Sequence, residues 1–236
     1  MEIKFEYTHS KLIELSWPKS ISPETLKQLI QVKKFLEHEY AEGIKEIRMG
    51  FHTLSLRLQL DIQKADCLEL LDEINTLDFS DFEFQSDTWS IPVYYGAEFG
   101  KDLFKLSELL QLSEKEIITL HASKEYQLYF YGFLPGFMYL GGLDPKLHIP
   151  RKSNPERTVK PGSVAIGGSQ TGIYPIESPG GWHVIGNCPI SLFDIHQTPP
   201  VQPKIGDLIR FRSIDLQEYN DLKHLSKLGN YTWKHD

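Results

Sequence analysis

Eleven of the chain's 17 glycines and eleven of its 14 prolines fall between Gly132 and Pro203. Glycine admits positive φ and lets other groups approach the backbone closely. Proline fixes φ and removes a donor. A stretch so punctuated cannot run as long helices. It reads instead as short strands joined by shaped loops, the places where binding and catalysis concentrate. Strand candidates after residue 125 are Tyr126–Leu134, Ser163–Ile166, His183–Gly186, Ser191–Asp194 and Asp207–Arg212, a pattern that predicts a barrel or sandwich.

Before this region the chain reads differently. Ile3–Tyr7 and Leu12–Leu15 look like short strands. Ser22-Pro23-Glu24 starts a helix with an N-cap serine, a proline at the first helical position and an early acid. Leu26, Leu29, Ile30, Leu36 and Tyr40 keep helical spacing, and Gly43 ends the run. Two strands follow, 44–48 and 53–60, the second placing Leu54, Leu56, Leu58 and Leu60 on one face. Ala65–Leu77 is a second helix. The order predicts a small ferredoxin-like, split βαβ unit over residues 1–88. Asp78–Thr88 reads as a connector. The second domain, 89–236, opens with a strand at Trp89–Tyr95 and two short helices at 102–110 and 114–121, the latter started by a Ser113/Glu116 capping box. The polar tail from Leu216 docks as a helix or frays. The class is therefore α+β.

With 236 residues and a net charge of −7, the chain can bury a sizeable core, and its charge argues against a nucleic-acid-binding face. No stretch approaches the roughly 20 apolar residues needed to cross a bilayer. The N-terminus does not read as a secretory signal. Cys67 and Cys188 read as free thiols of a cytoplasmic protein.

Motifs taken singly are weak. Gly100-Lys101 fails as a P-loop, since Tyr95 and Asp102 stand at positions that need glycine and Ser/Thr. No zinc pattern occurs among the histidines and cysteines, so no metal site is expected. Gly167-Gly168 and Gly180-Gly181 can present backbone N–H groups to an anion or simply turn the chain. Cys188 reads as a buried small thiol rather than a nucleophile. His183 follows the second glycine pair and is the titratable group best placed to move a proton, against the plainer reading of a packed strand histidine. His121 reads as a cation near a helix end. Arg151, Lys152, Arg157 and Lys160 form a basic patch, either solvated or rimming an anion site. Some of Tyr129, Phe130, Tyr131, Phe133, Phe137, Tyr139, Tyr174 and Trp182 could wall a pocket, while most belong to the core.

The order of motifs is more specific than any one of them. YGAEFG at 95–100, GFLPGFMYLGGLDP at 132–145, PGSV at 161–164, QTGIYP at 170–175, SPGGW at 178–182, LFD at 192–194 and Gly206-Asp207 resemble the family of 5-oxoprolinase B subunits, also called KipI-like or allophanate hydrolase subunit 1. Ala97 and Lys101 depart from its usual glycine and proline. The resemblance implies a cyclophilin-like β-barrel after the small α+β domain. It implies ATP-dependent hydrolysis of 5-oxoproline to glutamate, with partner subunits A and C (KipA-like) and ATP with magnesium, held here or on a partner. Two other activities occur among such proteins: inhibition of a sporulation histidine kinase, and carboxyltransferase work on urea or allophanate. On the favoured reading, Gly167, Gly168, Gly180 and Gly181 supply backbone donors. Gln170, Thr171 and Tyr174 hydrogen-bond the substrate. Arg151 pairs with a carboxylate or phosphate, and His183 carries the proton.

Overall fold

A computed structural model describes residues 3–80 and 82–235. Met1 and Glu2 of the leading segment, Asp81 of the connector and Asp236 of the tail lie outside the described residues. Backbone contacts divide the chain into Met1–Gln85 and Ser86–Asp236.

The first unit contains β1 (Lys4–His9), β2 (Leu12–Ser16), α1 (Pro23–Glu39), β3 (Ile44–Met49), β4 (Thr53–Leu58) and α2 (Lys64–Asn75). Its sheet order is β1-β2-β4-β3 with every neighbour antiparallel. β2 and β3 therefore run parallel on either side of β4, which is the split βαβ plan, with the fourth strand supplied ahead of the motif. Register explains the packing. Ile13 faces Leu56 and Leu15 faces Leu54 across β2 and β4, and Ile47 and Met49 face the same two leucines from β3. These side chains join Leu29, Val32 and Leu36 of α1 with Cys67, Leu70 and Ile74 of α2 in one core. Alternate residues turn outward, where Glu14 accepts from Ser55 and Glu46 bridges Arg48 and Arg57. Ser22 caps α1 as predicted, accepting from the Thr25 amide at 3.1 Å.

The second unit contains β5 (Thr88–Tyr95), α3 (Leu103–Leu110), α4 (Glu114–Ala122), β6 (Glu125–Tyr131), β7 (Met138–Gly141), β8 (Glu156–Val159), β9 (Ser163–Gly167), β10 (Gln170–Ile173), β11 (Ser178–Gly180), β12 (His183–Asn187), β13 (Leu208–Ser213), α5 (Leu216–Lys227) and β14 (Lys234–His235). Pairing runs β12-β9-β10-β7-β6-β13-β5, and β12 then pairs with the far end of β5. Seven strands thus close into a barrel, β5 and β13 being its parallel pair. β14 adds to the other edge of β5, while β8 and β11 form a separate two-stranded ribbon.

Ile91, Val93, Leu128, Leu140, Val164, Ile166, Ile185 and Phe211 fill the barrel core, and α3 and α4 add Leu103, Leu106 and Ile117. The Ser113/Glu116 capping box forms at the start of α4. Near the end of α4, His121 is fully buried rather than a solvated cation. Its ring stacks on Phe211 and bonds Tyr95 Oη and Thr171 Oγ1, each at 2.8 Å. Thr171 gives its hydroxyl proton to the Ala165 carbonyl. It therefore accepts from His121 Nε2–H, and Nδ1 accepts from Tyr95. Burial holds this neutral imidazole down at about 3.

The expected strand at Ser191–Asp194 is absent. Leu192 is buried, but the backbone finds partners outside any ladder: Ser191 N–H bonds Ser226 Oγ and Asp194 N–H bonds the Pro200 carbonyl. The tail forms α5, capped by Asp215. Both cysteines are buried and free. Among the described residues, no helix is long and apolar enough to cross a membrane.

Candidate active site

A pocket of about 340 Å³ opens on the outer side of the barrel wall. Strand alternation decides what lines it. Val164 and Ile166 of β9 point into the barrel, whereas Ala165 packs outside with Val184, Phe137, Tyr174 and Trp182. The outer group forms a web of rings. Phe137 meets Tyr174 edge to face at 5.2 Å and Trp182 at 5.6 Å, and Tyr139 meets Trp182 at 6.0 Å.

Two glycines make room for these rings. A Cβ on Gly167 would stand 2.8 Å from the Trp182 indole, and one on Gly180 would collide with the Tyr174 hydroxyl. At the mouth, Phe133 is 60% exposed and holds a left-handed backbone with φ of 63°. Its ring stands edge to face with Phe137 and Tyr174. A bulky residue at positive φ stores strain, a recurrent mark of ligand clamps.

Arg151 and Lys152 are the two cations of the lining, and they differ. Lys152 Nζ lies 2.6 Å from Asp102 Oδ2 and also bonds Glu156, which in turn binds Lys101. Asp102 Oδ2 also accepts the Val184 amide at 2.7 Å. Burial opposes the ionisation of Glu156, but the hydrogen bonds and charges of Lys101 and Lys152 outweigh it and keep the carboxyl below its usual range. Lys152 is thus neutralised by two carboxylates. Arg151 has no carboxylate partner among the described residues, and its guanidinium lies over Trp182 at 5.4 Å. The pocket therefore offers one unpaired positive charge against aromatic walls. Burial raises the Tyr174 phenol, which stays protonated at neutral pH.

Of the residues expected at a site, the pocket gathers Arg151, Tyr174, Gly180 and Gly181. The others lie elsewhere. His183 pairs with Ile166 across β12 and β9, so its side chain takes the barrel side of the strand, opposite Trp182 and Val184. It is buried, with Nε2 3.0 Å from the Pro150 carbonyl and Nδ1 without a partner. Thr171 is enclosed in the His121 network. Gln170 is half-buried on β10, its Oε1 unpaired, outside the lining. Gly167 lies under the Trp182 ring, and the Gly168 amide bonds the Ile149 carbonyl. Cys188 is buried and its thiol is pushed up to about 12, so it is no nucleophile near neutral pH. Sequence reasoning missed Asp102, Pro155 and Pro179. Asp102 meets Lys152 only through the fold, 50 positions apart, and no local pattern signals it.

The pocket does not fit a magnesium-bound triphosphate. It has a single unpaired cation, the Gly168 N–H is committed, and no cluster of three metal-ligating side chains occurs among the described residues.

A split βαβ unit followed along the chain by a closed seven-stranded barrel is the architecture of a carboxyltransferase-type protein. Residues 3–202 match the family described as carboxyltransferase domain, subdomain C and D. The chain is 38% identical to the 5-oxoprolinase B subunit of Haemophilus influenzae over 83% of its own length and 91% of the relative. It is 42% identical to the Bacillus subtilis protein of the same name, over 69% of its length, and that match spans 66% of the relative. The chain belongs to the family of 5-oxoprolinase B subunits. Among solved structures, it resembles a conserved uncharacterized protein of Pyrococcus horikoshii (35% identity, TM-score 0.55, 92% of this chain and 100% of that one). It also shares the fold of the Kluyveromyces lactis urea amidolyase (15% identity, TM-score 0.81), covering 99% of this chain and 16% of that one.

Proposed function

We propose that this chain is the B subunit of a cytoplasmic, ATP-dependent 5-oxoprolinase that opens 5-oxo-L-proline to L-glutamate. The observation that carries the reading is the unpaired Arg151 guanidinium set over Trp182 in a pocket of small-molecule size. 5-Oxoproline is a compact ring with one carboxylate. Arg151 takes that carboxylate in a charge-assisted pair. Phe137, Tyr139 and Trp182 pack the ring and exclude water. The Tyr174 hydroxyl lies in the same lining and donates to the lactam oxygen. ATP supplies the activation of the amide when bound, and we assign its site to a partner chain. The partners are the A and C subunits of the same complex. Lys152, Asp102 and Glu156 hold the Arg151 segment in place through their ion pairs, helped by the bond from Lys152 N–H to the Gly181 carbonyl.

The test reconstitutes the chain with its A and C partners and measures ATP-dependent glutamate release. Omitting the chain should abolish release, and Arg151→Met should raise KM for 5-oxoproline tenfold or more. Full activity without the chain would overturn the reading.

A further inference from the structure

The first unit carries a second groove of about 330 Å³, of opposite character. Leu58 and Leu70 form a buried floor, and Leu60 stands at the edge with 78% of its surface exposed. Four carboxylates rim it: Asp61, Asp66, Glu69 and Glu73. Among the described residues, no lysine, arginine or histidine lines it, and Asp61 pairs with Lys11 at 3.9 Å. Glu73 accepts the Tyr40 hydroxyl, and that bond with burial pushes the phenol up to about 12, so neither group brings positive charge.

The acids are ordered. Asp66, Glu69 and Glu73 lie on α2 at i, i+3 and i+7, one helix face. At 1.5 Å per residue the stripe is about 10 Å long. An extended chain rising about 3.3 Å per residue covers that length in three to four residues. An apolar floor beneath an elongated acidic rim suits a peptide segment with alternating apolar and cationic side chains. A second copy is disfavoured, because two such grooves repel and the chain carries −7 overall. An anionic lipid surface is repelled likewise.

We propose that this groove docks a partner protein through an extended segment that presents an apolar side chain flanked by lysines or arginines. The proposal is independent of the barrel pocket. A fluorescent eight-residue peptide of alternating leucine and lysine is the probe, read by anisotropy with the full chain. Binding is expected, falling with salt, while peptides with glutamate for lysine, or serine for leucine, do not bind. Leu60→Ser, an exposed change that leaves the fold intact, and the pair Glu69→Lys with Glu73→Lys each weaken binding at least tenfold. The pair Glu108→Lys with Asp221→Lys, an equal charge change in the second unit, leaves it within twofold. Equal weakening by both charge pairs, or no effect of Leu60→Ser, would overturn the proposal.

Discussion

Trp182 and His183 are sequence neighbours that serve opposite sides of one barrel wall: the indole lines the outer pocket and the imidazole is buried on the inner side against the Pro150 carbonyl. Substitutions at the two positions should therefore separate. Trp182→Ala removes a pocket wall and is expected to lower ligand affinity at least tenfold. His183→Ala should leave affinity within about twofold and lower stability by about 1–3 kcal/mol, through a cavity and an orphaned carbonyl. Calorimetric titration with 5-oxoproline on the assembled complex, beside urea melts of the chain, checks both. Collapse of turnover in His183→Ala with unchanged stability would restore a proton-carrier role.

Arg151 should behave as an anion reader. Losing a hydrogen bond to a charged group costs about 1.5–3 kcal/mol, so Arg151→Met should weaken a carboxylate ligand by roughly tenfold to a hundredfold. A 5-oxoproline amide, which lacks the charge, should bind wild type and variant alike. If the amide discriminates between them as strongly as the acid does, the guanidinium is acting through packing.

Phe133 sits at positive φ with most of its surface in water. Phe133→Gly relieves left-handed strain of about 1–2 kcal/mol, partly offset by glycine's added chain entropy. The melting temperature is expected to hold or rise while ligand affinity falls. A marked drop in melting temperature would show that the ring supports the fold instead of capping the pocket.

The His121 network sets a pH dependence. The folded imidazole is depressed to about 3 against an ordinary 6.5. Below 6.5 the unfolded chain therefore binds a proton that the folded one refuses. This contribution is complete above 6.5 and drains as pH falls toward 3, at about 1.4 kcal/mol per pH unit. Urea unfolding at pH 7 and pH 5 should show that loss, and His121→Gln should remove this part of it. An equal loss in the variant would assign the acid sensitivity elsewhere.

Gly180 tests how tightly the pocket is built. A methyl there meets the Tyr174 hydroxyl, so Gly180→Ala should cost about 1–3 kcal/mol and weaken the ligand together. Thermal melts and titration on the same sample measure both, and a silent substitution would mean that Tyr174 moves freely.

The helices were legible because their signals are local. Ser22 capping α1 and Ser113 with Glu116 opening α4 need no knowledge of distant residues. Alternating Leu54, Leu56 and Leu58 marked β4 for the same reason, but the expected strand over 53–60 ends at Leu58, and Leu60, expected on the same face, is exposed beyond it. Ser191–Asp194 misled because a buried Leu192 looks the same whether its backbone pairs with a strand or with Ser226 and Pro200. The candidate site was legible in its aromatics and in Arg151. Its electrostatics were not, since the neutralisation of Lys152 depends on Asp102, far off in sequence. Strand parity is a usable signal within β12: Val184 packs on the outer side with Trp182, and His183, one position before it, takes the inner side.

That neutralisation bears on how a turnover would end. Ring opening of the proposed substrate creates a second carboxylate and an ammonium, both strongly hydrated. The lining offers one unopposed guanidinium, a lysine already answered by two carboxylates, and otherwise aromatic rings, prolines and glycines. The lactam can settle there with its single charge answered, while glutamate leaves its new charges facing rings, so the product's own hydration drives its departure.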